Sequence, residues 1–367
     1  MCSERCTGKL IDSGLYSIGS QNEMAKRSLD RAAFWLIAII FVVSTGCASR
    51  PTSTSTAARA SQASHPEESA QIAFKSADGS TDLHGELSLP QGPGPFPAVV
   101  VMIPTMCEGY VAPPDSWQRA ALPSWGYATL LIDSFATRGL TVSACRDFTV
   151  LQPSQTVGDA YGALEFLKSR ANIDANRIAL IGFGGQGTTA LLSDTTEARD
   201  RYLRGGESGF RAVFAFYPYC NVEFVKEIPR AYAPERIFAG ERDDISPATR
   251  CVELSERLRT RGADVEVTVY PRAEAGFDIV PADTNYEVRD STATHPGSTT
   301  ISTHPQYDPW GENLSACTFK VSSVFDIAKR SDVNECLRRG AHFQGDATAA
   351  EQARTDLKTD LLNLVKQ

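Results

Sequence analysis

The chain has 367 residues, enough for one large domain plus tails or at most two domains. Its 42% hydrophobic and 22% charged residues are those of a globular protein. The net charge of −8 sets nucleic acid aside as a partner, because phosphate binding needs a basic face, and nothing in the chain repeats at a fixed period.

The first 47 residues read as a leader. Lys26, Arg27 and Arg31 form a basic region, and 32–43 is an apolar run too short for a comfortable membrane span. Ser44-Thr45-Gly46-Cys47 then resembles a bacterial lipoprotein cleavage site, with Cys47 as the lipidated residue. Met24 would be a more typical start than Met1. Ala48, rather than Asp, after that cysteine implies the outer membrane and a periplasm-facing protein, by the same resemblance. Residues 48–70 are rich in Ser, Thr, Ala and Pro and read as a flexible tether. Beyond the leader, Cys107, Cys145, Cys220, Cys251, Cys317 and Cys336 make an even set, as expected for disulfides in an oxidising compartment.

From 71 to 367 the chain reads as one domain. Residues 71–89 alternate as an antiparallel hairpin, with Asp78-Gly79 as its turn. Apolar runs at 98–103 and 127–132 predict buried strands, with a short helix at 116–125 between them. In the helix expected at 156–169, Val157, Ala160, Tyr161, Leu164 and Leu167 share one face. Residues 177–181 form another buried strand, followed by a glycine-dense turn at 182–187 and a helix opening at 188. Strands at 212–216, 236–238 and 265–270, a helix at 247–261 and a terminal helix at 349–365 complete the pattern. Strands alternating with helices predict a mostly parallel sheet covered on both faces, with ligands at the carboxyl ends of the strands.

These segments resemble the dienelactone hydrolase family of α/β-hydrolases. The resemblance rests on FPAVVVMIP (96–104), WGYATLLIDSFATRG (125–139), RIALIGFGGQG (177–187), FAFYPYC (214–220), FAGERDDISPATRC (238–251) and VYPRAEAGFD (269–278). It implies an α/β-hydrolase fold and a triad of Cys or Ser nucleophile, Asp and His. The acid position falls on Asp243, with Asp244 beside it as the lesser candidate; a carboxylate here could equally cap the helix after Pro247. The nucleophile position falls on Gly184 and the base position on Ala275, and the oxyanion segment reads Ile103-Pro104, whose proline has no N–H. The resemblance also implies neighbours for the cysteines: Cys107 with Cys145, Cys220 with Cys251, and Cys317 with Cys336 stapling a long insertion at 279–340.

Five histidines and two strand-end residues are the candidate replacements. His65 lies in the tether and His84 in the hairpin; His295 and His304 fall in the insertion, near the carboxyl edge of the sheet; His342 precedes the terminal helix. Cys107 and Ser134 follow central strands as displaced nucleophiles. There is no H-x-x-x-H, no C-x-x-C and no Walker-type lysine, so no metal or cofactor is implied. Residues 182–187 match G-x-G-x-x-G, but too late in the chain for a dinucleotide fold. The expectation is therefore an envelope-tethered pseudo-hydrolase acting by ligand or partner binding. The alternatives are an ester or lactone hydrolase with displaced nucleophile and base, and a structural envelope lipoprotein.

Overall fold

In the computed structural model, the apolar runs hydrogen-bond side by side into an eight-stranded sheet of order β1-β2-β4-β3-β5-β6-β8-β9. The structure describes residues 68–103, 117–140, 150–226, 229–279, 287–288, 299–300, 306–326 and 329–366. The leader, most of the tether, Cys107, Cys145, His295 and His304 lie outside the described residues.

Strand β1 (Glu68–Lys75) pairs antiparallel with β2 (Asp82–Leu89), which pairs antiparallel with β4 (Ala128–Ile132). From β4 onward every pairing is parallel, through β3 (Phe96–Met102), β5 (Ile173–Phe183), β6 (Val213–Phe216), β8 (Glu235–Gly240) and β9 (Val265–Tyr270). Because side chains alternate along a strand, the runs split between two cores. Ala98, Val100 and Met102 of β3 face one core with Val157, Ala160, Tyr161, Leu164 and Leu167 of α2 (Pro153–Lys168). Val99 and Val101 face the other, closed by Leu122 of α1 (Trp117–Ser124) and by Ala349, Ala353, Leu357 and Leu361 of α7 (Ala347–Leu361). Both faces are covered, as a parallel sheet requires. Among the described residues no helix is long and apolar enough to cross a membrane.

Several boundaries differ from the sequence pattern. Helix α3 (Gly185–Ser193) starts at once after Gly184, three residues before the expected opening, because Thr188 N–H already donates to the Gly184 carbonyl (3.1 Å). The glycines at 185 and 187 are poor helix formers and hide that start in the sequence. Helix α2 likewise begins early, on Pro153, whose missing N–H costs nothing in the first turn. Two elements carry little periodicity and were not foreseen: α4 (Thr196–Tyr202), capped by Thr195 Oγ1 accepting from Ala198 N–H, and β7 (Val222–Phe224). Helix α5 (Ala248–Arg259) follows Pro247 as expected.

The expected insertion also contains structure. Strands β10 (Glu287–Val288) and β11 (Thr299–Thr300) pair with each other. Strand β12 (Gln306–Asn313) pairs antiparallel with β14 (Arg338–Phe343), and β13 (Phe319–Val321) pairs parallel with β7. The short helix α6 (Arg330–Asn334) precedes Cys336, and two disulfides lie among the described residues. Cys317 is bonded to Cys336 within this region, and Cys220 to Cys251 between the loop after β6 and α5. The third expected pair, Cys107 with Cys145, involves residues outside those described.

Two carboxyl groups are buried together beside α3. Asp194 Oδ1 accepts from Ala233 N–H (3.0 Å), while its Oδ2 and the Oε2 of Glu235, the first residue of β8, are buried without a hydrogen-bond donor. Two neighbouring carboxyls in such a site stay uncharged more readily than they stay ionised together. Burial raises both, Asp194 well above the carboxylate range and Glu235 to about 7. Tyr161, Tyr232 and Arg199 are the other titratable groups around Asp194. A raised carboxyl contributes stability that is fully present below its unfolded value, 4.5 for Glu235, and is lost as pH rises through about 7. Denaturation of the full chain should therefore show lower stability at about pH 8 than at about pH 5, with the difference reduced in Glu235→Gln. Stability that is flat or rising over that range would contradict a raised Glu235 carboxyl.

Candidate active site

The site is built at the carboxyl ends of β5, β6, β8 and β9, where a parallel sheet presents its loops. Strand β5 lies in the middle of the sheet, between β3 and β6, and runs straight into the turn at Gly184. Gly184 has φ 55° and ψ −125°, a conformation L side chains rarely adopt, and its N–H donates to the Phe216 carbonyl (2.9 Å). Two residues earlier, a Cβ on Gly182 would overlap the Gln186 carbonyl, so the strand and helix can approach this closely only with glycine there. The result is a sharp strand–turn–helix elbow. A Cβ on Gly184 would meet only the Tyr217 ring, at 3.7 Å, an ordinary contact.

Tyr217 continues from β6 with φ 38°, and its N–H donates to the Phe238 carbonyl (2.7 Å). Its hydroxyl donates to Asp278 Oδ1 (2.8 Å), while Trp117 Nε1–H donates to Asp278 Oδ2 (3.1 Å). Asp278 is buried, which pushes its pKa up against the opposing pull of those two donors. Around them Phe183, Phe216, Phe238 and Phe277 pack as a buried aromatic cluster of the second core, with Phe183 and Phe216 stacked at 4.7 Å.

Asp243 lies in the turn after β8, and its Oδ1 accepts from Ile245 N–H (2.9 Å) and Ser246 N–H (2.8 Å). It therefore caps the turn leading into α5. Burial raises its carboxyl to about 7, although the two backbone donors pull it down. Ser246 Oγ donates to the Pro218 carbonyl (2.7 Å), tying this turn to the residue after Tyr217. Ala275 is buried in the turn after β9, where it forms a parallel bridge with Phe343 and accepts from Gln344 N–H (3.0 Å).

The carboxylate that holds a histidine is the neighbour, Asp244. Its Oδ1 accepts from the backbone N–H of His342 (2.9 Å), and its Oδ2 lies 2.7 Å from His342 Nδ1. Asp244 raises the imidazole above its usual 6.5 by this hydrogen bond, and Asp244 and Glu274 add the pull of negative charge. His342 stands in strand β14 rather than in a loop ahead of the terminal helix. This contact spans 98 residues, and no local pattern announces it.

Two further sequence candidates are among the described residues and lie apart from this contact. His84 is exposed on β2. Ser134 is buried after β4, and among the described residues no base hydrogen-bonds its Oγ. Among the described residues no group of three or more His, Cys, Asp or Glu side chains could hold a metal ion. The Tyr217–Asp278–Trp117 network has no signal in the sequence: Tyr217 follows an expected strand, Trp117 lies in the expected helix at 116–125, and Asp278 closes the segment 269–278. Tyr217→Phe removes one of two donors to a buried carboxylate and should cost about 1.5–3 kcal/mol, read by urea unfolding. A loss near zero would show that the hydroxyl does not matter to Asp278.

Comparison with known proteins agrees with this architecture. The protein m3DLH superposes with a TM-score of 0.52 at 18% identity, covering 81% of this chain and 98% of its own. A dienelactone-hydrolase-like promiscuous phosphotriesterase from metagenomic libraries gives 0.48 at 18% identity, over 81% and 98%. The apo form of Thermogutta terrifontis esterase 2 gives 0.46 at 18% identity, over 58% and 86%. At these identities the likeness to m3DLH speaks for the fold. Residues 83–295, more than half of the sequence, match the dienelactone hydrolase family, and with its eight-stranded, mostly parallel sheet this chain belongs to that family and to the α/β-hydrolases.

Proposed function

We propose that this family member binds an ester- or lactone-like ligand in the elbow cleft without forming an acyl-enzyme. One observation carries the reading: the elbow keeps its sharp backbone at Gly184, yet glycine offers no hydroxyl or thiol to attack a carbonyl. The reading at 1–47 and the two disulfides support a lipid-anchored protein in an oxidising bacterial envelope compartment.

A second reading, ester or lactone hydrolysis by displaced groups, is favoured by the His342–Asp244 pair, which supplies the acid–base part of such a mechanism. The two readings separate on the wild-type full chain, incubated with p-nitrophenyl acetate and with a dienelactone and followed by intact-protein mass spectrometry. Binding without catalysis predicts no turnover above buffer and no acyl adduct. A burst of p-nitrophenolate with a matching adduct would contradict it.

A further inference from the structure

A second cavity opens between helix α5 and the short strand β7. It encloses about 480 Å³, and none of Gly184, Asp243 and Ala275 lines it. One wall is a side of α5, where Arg250, Glu253, Glu256 and Arg257 recur at the three- and four-residue spacing of one helix face. The facing wall is made by residues 220–223, with Thr318 beside them.

Both walls are held in place. The Cys220–Cys251 bond joins one to the other. Asn221, only 3% exposed, donates from Nδ2 to the carbonyls of Leu314 (2.9 Å) and Cys317 (3.2 Å). Phe319 N–H in turn donates to the Asn221 carbonyl (2.8 Å), so β7 is fastened to the segment that carries Thr318. Cys317 is itself bonded to Cys336. Walls fixed in this way lower the ordering cost of taking a ligand. Asn221 Oδ1 accepts no hydrogen bond, which leaves a buried polar atom beside the cavity that the fold does not use.

The charges on the two walls are not balanced within the protein. Arg250 pairs with Glu253 on its own helix (3.3 Å). Arg257 donates from Nη2 to the Val222 carbonyl of the facing wall (3.1 Å), which positions the guanidinium, yet it meets no carboxylate among the described residues. Glu256, next to it on α5, and Glu223, next to Val222, form no ion pair either. A positioned cation and two carboxylates therefore line one cavity without neutralising one another.

We propose that this cavity is a binding site for a small zwitterion, an amino acid or short peptide whose carboxylate meets Arg257 and whose ammonium meets Glu223 and Glu256. The guanidinium keeps further N–H donors beyond the one given to Val222, in the planar fork that suits a carboxylate. The two glutamates offer acceptors to the three N–H donors of an ammonium group. A molecule with only one of the two charges leaves the opposite group covered and unpaired, so the site favours a ligand that carries both. Its volume is that of an ordinary small-molecule site. Occupancy here does not depend on how Gly184 is read.

The test is calorimetric titration of the full chain with L-alanine and with L-alanyl-L-alanine, at up to about 10 mM. Saturable binding of at least one is expected, and the tighter of the two separates an amino acid site from a peptide site. Acetylating the amine of that probe, or amidating its carboxylate, should weaken binding roughly tenfold or more. In Arg257→Gln the amidated form should bind as well as its parent, because the carboxylate has lost its partner. In Glu223→Gln/Glu256→Gln the acetylated form should match the parent for the same reason. Three results would overturn the proposal: no binding of either probe, derivatives as tight as their parents, or penalties that persist in the variants. The derivative comparison needs only the wild-type chain and stays decisive if a variant fails to fold. Ester turnover plays no part in the readout, so failure here is distinct from failure of the elbow reading.

Discussion

The junction between β5 and α3 sets the geometry of everything above the sheet. A parallel strand from the middle of the sheet must reverse into a helix within one residue, and the close approach of Gly182 to the Gln186 carbonyl leaves no room for a side chain there. That turn fixes Gly184 at φ 55°, aims the start of α3 at the cleft and sets Tyr217 alongside it. Holding a non-glycine residue in such a region costs on the order of 1–3 kcal/mol, a strain that families with a side chain at this position must carry. Here glycine relieves it.

Around that turn, interactions divide between two carboxylates that are neighbours in sequence. Asp243 spends Oδ1 on two backbone donors and holds the entry to α5. Asp244 reaches the other way, to a strand of the region after β9, and secures it through a backbone N–H and an imidazole. The bridge between Ala275 and Phe343 places this strand over the turn where the family resemblance expects the base. The β7–β13 pairing ties the same region to the rest of the fold, and the Cys317–Cys336 bond closes a loop within it. Residues 342–344, just beyond the insertion read at 279–340, thus lie along the turns after β8 and β9.

How much of this was legible follows from the range of each interaction. The central strands announce themselves through buried β-branched runs such as Val99–Val101, and α2 through Val157, Ala160, Tyr161, Leu164 and Leu167, because burial on a regular element leaves a period in the sequence. The glycine turn was visible for the same reason, since only glycine meets its steric demand. Helix starts at Gly185 and Pro153 were blurred, because capping and first-turn geometry overrode propensity. The Asp244–His342 contact and the Tyr217–Asp278–Trp117 network lie 98, 61 and 161 residues apart in sequence, and no local signal encodes such meetings. His342 looked like a loop residue because β14 finds its partner, β12, only in three dimensions.

The most direct measurement is a titration of the histidines of the full chain by nitrogen-15 NMR, with Asp244→Asn beside the wild type. His342 should show its Nδ1 as the hydrogen-bonded nitrogen and titrate above 6.5, falling back toward that value when Asp244 loses its charge. A His342 that titrates at the ordinary value and does not respond to Asp244→Asn would contradict the Asp244–His342 contact.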